Sequence, residues 1–132
     1  MRIAVATASN DIYFDSLNAL LKSLAGFEHQ GRVSTHVLDV GLNDTQRETL
    51  RAAGHQLARP GWDVDVSPWQ GVPEWFKAMT ARPYLPKYIP DADIILWLDA
   101  DIWVQDHTML FDYRSEEHTS ELQSLAYLVC RL

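Results

Sequence analysis

Asp99 and Asp101, two carboxylates separated by one residue, follow directly on the apolar run Ile94-Ile95-Leu96-Trp97-Leu98. Five consecutive apolar residues of this kind read as a strand buried on both faces, as in the interior of a parallel sheet. In open α/β sheets, ligands bind outside the carboxyl ends of the strands, which is where this pair falls. In extended backbone, residues i and i+2 project to the same side, so both carboxylates are expected to converge on one object. Two close carboxylates repel each other. A hard divalent cation, Mg²⁺ or Mn²⁺, relieves that repulsion and prefers oxygen ligands. The alternative is a loop of solvated aspartates. The apolar residues on both sides, including Ile102-Trp103-Val104, favour the metal site.

The elements needed to position this pair can be followed along the chain. Arg2 to Ala8 reads as a first buried strand. Ser9-Asn10-Asp11 supplies a turn and a helix N-cap. Phe14, Leu17, Leu20, Leu21 and Leu24 then fall at helical spacing, with Gly26 closing the helix. Val33 to Val40 predicts a second strand, and Gly41-Leu42-Asn43 a turn. Asn43 or Asp44 caps a helix that runs to Ala53 and stops at Gly54, with Leu42, Leu50 and Ala53 facing inward. His36 is expected to be packed or exposed without a functional role. Gln56 to Ala58 is a brief third strand. Alternation of strand and helix argues for βαβ units and a parallel sheet.

From Trp62 to Trp75, Pro68, Gly71 and Pro73 prevent a long regular element, so a loop is expected there, followed by a short helix over 74–80. Its tryptophans either anchor the loop or line an acceptor groove. Arg82 and Lys87 are the cations nearest in sequence ahead of the aspartate strand, and a guanidinium can clamp paired phosphate oxygens. Asp93, just before that strand, either contacts the bound ligand or caps the turn, and the turn is the favoured role. Residues 105–113 predict a turn and the start of a helix.

The segment from Ile94 to Val104 resembles the D-x-D segment of GT-A-fold glycosyltransferases, especially the family 8 type. The resemblance implies a Rossmann-like GT-A nucleotide-diphospho-sugar transferase fold of the α/β class, truncated, with a mostly parallel sheet and flanking helices. It implies that Asp99 and Asp101 hold Mn²⁺ or Mg²⁺ against the diphosphate of a nucleotide sugar, most simply a UDP-sugar. It also implies a nucleotide-sugar site made of Ala8, Asn10, Asp11 and Tyr13 in the first βα turn, together with Arg82 and Asp99. An aromatic ring such as Tyr13 suits a planar base, and Asn and Asp side chains suit a base edge or a ribose. Ile12 departs from the family, in which an Asn is common at that place. The family's His ligand lies far downstream, so His107 is a bystander and the catalytic residues are expected beyond this chain. No G-x-G-x-x-G occurs in the sequence.

Composition sets the outer limits. Hydrophobic residues at 47% and charged residues at 22% fit one globular domain and argue against disorder. A formal charge of −7 with no basic block excludes a nucleic-acid backbone partner. A single cysteine, Cys130, excludes an internal disulfide framework. No segment reaches the ~18 apolar residues of a membrane helix. A cytoplasmic location is expected, or the membrane periphery for a full-length protein.

The tail stands apart. Arg114 to Ser124 resembles, residue for residue, the conceptual translation of a sequencing-library adapter. The expected division is residues 1–113 as the N-terminal nucleotide-sugar-binding part of a GT-A domain, and residues 114–132 as a non-native tail. Leu122, Leu125, Ala126, Val129 and Leu132 nevertheless recur at helical spacing. The expected function is transfer of a sugar to an unknown acceptor hydroxyl, with the chain as given inactive and marginally stable. Two alternatives from other classes are a non-catalytic α/β nucleotide-binding or interaction module and a phosphatase of the haloacid dehalogenase type. The second also places D-x-D after a hydrophobic strand, but near the N-terminus.

Overall fold

A computed structural model of the chain describes residues 2–25 and 33–107, together with the backbone of residues 128–131. Its elements alternate: β1 (Ile3–Ser9), α1 (Phe14–Leu24), β2 (Val33–Asp39), α2 (Asp44–Ala52), β3 (Gln56–Ala58), α3 (Lys77–Ala81), α4 (Leu85–Tyr88), β4 (Ile94–Trp97) and β5 (Leu128–Arg131). Short 3₁₀ turns at Glu74–Phe76 and Arg82–Tyr84 precede α3 and α4.

The strand order is β3-β2-β1-β4-β5. The first four strands are parallel, with Ala6 of β1 opposite His36 on one side and Trp97 on the other. The chain thus leaves β1 toward β2 and later returns to the opposite flank of β1 as β4. Such a reversal opens a crevice at the carboxyl ends of the two strands, the place where ligands bind in open α/β sheets. The expected mostly parallel sheet with flanking helices is present.

Side-chain alternation along β1 divides the core. Ile3 and Val5 face α1 and pack with Leu20, Leu24, Ile94, Leu96 and Leu98. Ala4 and Ala6 face the other way, against Ala81, Leu85, Ile89 and Trp97. The small residues on this face let the short helices α3 and α4 lie close to the sheet. A third cluster, of Leu17, Leu21, Val37, Leu42 and Leu50, seats α1 and α2. Ile94 to Leu98 are all buried, as a double-faced strand requires.

Several local expectations are refined. Asn43 caps α2 in a capping box: its side chain accepts the Gln46 N–H, and the Gln46 side chain accepts the Asn43 N–H. Ala53 is exposed rather than inward, because it sits at the helix end where Gly54 turns the chain at φ +88°. The stretch before β4 is more helical than its prolines suggest. Pro83 and Pro86 both lie in first turns, where proline's fixed φ helps and its missing N–H costs nothing. Residues 128–131 form a strand antiparallel to β4, so the helical spacing noted in the tail does not hold there. The open edge of β4 offers unmet backbone groups that a strand satisfies and a helix does not. Gly26, residues 108–113 of the turn and helix start expected over 105–113, and the adapter-like segment 114–124 lie outside the described residues.

Candidate functional site

A cleft of about 410 Å³ opens at the crevice between β1 and β4. Its walls are built from several elements. Ala8, Ser9 and Asn10 come from the end of β1 and Tyr13 from the entry to α1, while Val40 follows β2. The far wall is Trp75 and Ala78 from the segment over the sheet, and Ala100 with Asp101 closes the β4 side.

The β1–α1 corner is held by its own side chain and by a neighbouring turn. The Tyr13 N–H donates to Asn10 Oδ1 at 3.1 Å, which sets the helix entry. The Asp11 N–H donates to the Gly41 carbonyl at 3.0 Å, joining this corner to the β2–α2 turn. Gly41 has φ +134°, and a Cβ there would stand 3.3 Å from Asn10 Cβ. Close approach and backbone conformation both require glycine at this point.

Past β4 the chain does not stay extended. The Ile102 N–H donates to the Asp99 carbonyl at 3.1 Å, so residues 99–102 form a tight turn. The expectation that both carboxylates project to the same side of an extended strand is therefore corrected. Asp101 is exposed and lines the cleft. Asp99 is half-buried and engaged: Oδ1 accepts from Arg82 Nη2 at 2.7 Å and from Trp97 Nε1 at 2.8 Å. The Arg82 guanidinium carbon also lies 4.6 Å from the centre of the Trp97 ring, a cation–π contact. With Arg82 27% and Asp99 39% exposed, the ion pair contributes no more than ~1 kcal/mol.

Of the residues expected to bind nucleotide sugar, Ala8, Asn10 and Tyr13 line the cleft, while Arg82 and Asp99 are paired beside it. Asp11 sits exposed at the corner, outside the lining. His107 Nε2 is 2.6 Å from the Ser23 carbonyl on α1. Lys87 bonds Asp63 at 2.9 Å and Tyr88 bonds the same carboxylate at 2.6 Å, pinning the loop after β3 to α4. Asp93 accepts the Arg2 N–H at the amino end of the sheet, away from the cleft. The three loop tryptophans have separate fates: Trp62 lies under Lys77, Trp69 is exposed, and Trp75 faces the cleft. Nothing in the spacing of those tryptophans singles out Trp75.

The donor set bears on the metal implied by the fold. Among the described residues no group of three His, Cys, Asp or Glu side chains could hold a metal ion. Two carboxylates in one turn do fit the habit of Mg²⁺, which binds through one or two carboxylates and completes its shell with substrate phosphates and water. The pair therefore suits a cation that arrives with a diphosphate, and does not suit a permanent structural ion.

Comparison with known proteins bears on the fold. No protein-family model and no curated protein matches the chain in sequence. Among solved structures, a galactosyltransferase, LgtC, in complex with donor and acceptor sugar analogues matches at 26% identity and TM-score 0.56, over 83% of this chain and 42% of that one. TarS residues 1–349 from S. aureus, in complex with UDP-GlcNAc, matches at 13% identity and TM-score 0.56, over 87% and 30%. GlyE from Streptococcus pneumoniae, a glycosyltransferase, matches at 22% and 0.53, over 85% and 26%. The chain has the GT-A glycosyltransferase fold, and the resemblance read from its sequence is borne out. Of these three, LgtC is the one whose identity to this chain over the matched region exceeds a quarter. The chain spans less than half the length of each. Among the described residues, no helix is long and apolar enough to cross a membrane.

Proposed function

We propose that this chain is the nucleotide-sugar-binding part of a metal-dependent glycosyltransferase, with a UDP-sugar as donor and an acceptor hydroxyl as the receiving group. The observation that carries this reading is one cleft, at the reversal point of a GT-A sheet, that joins Asn10 and Tyr13 to the turn bearing Asp99 and Asp101. Tyr13 offers its ring to the base, and Asn10 offers its amide N–H groups to the base edge or ribose. Arg82, next to Asp99, supplies a guanidinium for the diphosphate. Asp99 and Asp101 would hold Mn²⁺ or Mg²⁺, whose chemistry is to neutralise charge on the leaving diphosphate. The LgtC complex with sugar analogues and the TarS complex with UDP-GlcNAc support a nucleotide-sugar ligand. A cytoplasmic location, or the membrane periphery for a full-length protein, belongs to the same reading.

The test is titration calorimetry of UDP into the chain with and without Mn²⁺. Binding should require Mn²⁺ and should weaken at least tenfold in Asp101→Asn, a substitution at an exposed side chain that leaves stability within ~0.5 kcal/mol. Equal UDP binding in wild type and Asp101→Asn would sink the metal-site assignment. The Arg82–Asp99 pair favours one second reading, a nucleotide-binding module without catalysis, since an arginine already balances one of the two carboxylates. That module would bind UDP without any cation.

A further inference from the structure

The Arg82 side chain is held in a way that leaves one of its own donors unmet. Nη2 bonds Asp99 Oδ1 and the guanidinium lies against Trp97, yet Arg82 Nε is buried with no hydrogen-bond partner among the described residues. Buried donors are normally satisfied, so an orphan of this kind calls for a physical reason. Trp97 Nε1 meets the same Asp99 oxygen, so that carboxylate stays oriented whether or not Arg82 remains on it. Trp97 is itself buried at 3% exposure and cannot easily move. The arginine is the movable partner of the three.

We infer that Arg82 is a gate on Asp99. In the ligand-free chain it occupies the carboxylate that a divalent cation needs. When a nucleoside diphosphate enters the cleft, Arg82 turns to the phosphate oxygens, which also gives Nε an acceptor, and Asp99 becomes available to the cation. Trp97 is the positioning residue: its ring carries the guanidinium and its N–H holds Asp99 in place through the exchange. An ion pair as exposed as this one is weak enough for two competing ligands to displace. Diphosphate and cation therefore favour each other's binding, and by linkage the effect is reciprocal. The inference rests on the metal-and-diphosphate reading above, which it deepens into an order of events.

Mn²⁺ alone, and Mn²⁺ in the presence of UDP, would be titrated into the 132-residue chain and its Arg82→Ala and Arg82→Gln variants. Circular dichroism checks that each variant keeps the wild-type fold, and the glutamine variant serves if the alanine variant does not. The gate predicts that loss of Arg82 tightens Mn²⁺ binding several-fold in the absence of UDP, and that UDP then enhances Mn²⁺ binding by a smaller factor than in wild type. Simple removal of a nearby positive charge would raise both Mn²⁺ affinities alike and leave that factor unchanged, which overturns the gate. Unchanged or weaker Mn²⁺ binding in the variants, with wild type still taking Mn²⁺ and UDP together, also overturns it while leaving the transferase reading intact. Failure of wild type to bind Mn²⁺ even with UDP removes both.

Discussion

Asp39 and Asp99 occupy matching places, each just at or past the carboxyl end of a parallel strand and each bonded to an arginine, yet they are finished differently. Asp39, with its side chain 2% exposed, accepts from the Gly41 and Leu42 N–H groups at 3.1 and 2.8 Å, from Arg47 Nε at 2.6 Å and from Arg59 Nε at 3.2 Å. Burial alone pushes its pKa up. The Arg47 hydrogen bond and the two backbone donors outweigh that and hold it below the usual carboxylate range. Both oxygens are used, and the result is a closed knot that shapes the β2–α2 turn. Asp99 has two donors on one oxygen and is 39% exposed, beside a cleft. Saturation marks a carboxylate that holds the fold, and incomplete saturation at a strand end marks one whose arginine can be exchanged for a ligand.

The largest expected effect tests the closed knot. Asp39→Ala should cost about 2–3 kcal/mol in urea denaturation, less than for a fully enclosed pair because both arginines can turn to water. A loss under 0.5 kcal/mol would erase the distinction. Next, Gly41→Ala should cost about 1–3 kcal/mol, because the backbone is at φ +134° and the new methyl group meets Asn10. It should also weaken UDP binding by disturbing the Asn10 corner, and an alanine variant with unaltered UDP affinity would argue against that corner as part of the site. Acid comes third. Since the folded pKa of Asp39 is depressed, its stabilisation is fully present above the unfolded carboxylate pKa of about 3.9 and is lost as pH falls through the lower folded value. Melting temperature should therefore fall below about pH 4, and the fall should be shallower in Asp39→Ala. The smallest structural effect belongs to the open site: Asp99→Asn should change stability by no more than ~1 kcal/mol while Mn²⁺-dependent UDP binding disappears. The reverse result, a large stability loss with binding kept, would assign Asp99 to the fold.

The sheet was legible in the sequence because its strands are apolar runs bounded by Gly, Asn and Asp, and its helices carry leucines at 3.6-residue spacing. Leu17, Leu20, Leu21 and Leu24 are buried as that spacing requires. Asp101 could be named in advance because it follows a buried strand, whereas Ala8, Asn10 and Tyr13 were named through the family resemblance, and all four line the one cleft. Three things were not legible. The tight turn at Asp99–Ile102 depends on a backbone hydrogen bond that no residue type at those positions demands. The role of Trp75 depends on how a loop with no periodicity lies over the sheet. The Asp39 knot draws Arg59 from twenty residues away, a contact that spacing does not encode.

The antiparallel pairing of β5 has a practical outcome. Arg131 lies opposite Ile94, and the Arg2 carbonyl accepts the N–H groups of Asp93 and Ile94, so residues 2 and 131 share the amino-end rim of the sheet. The cleft is at the other rim, roughly 20 Å away along the seven residues of β1. A surface or carrier protein coupled at the exposed Arg2 would present the cleft outward, and an immobilised layer of this chain would expose its ligand-facing side to solution.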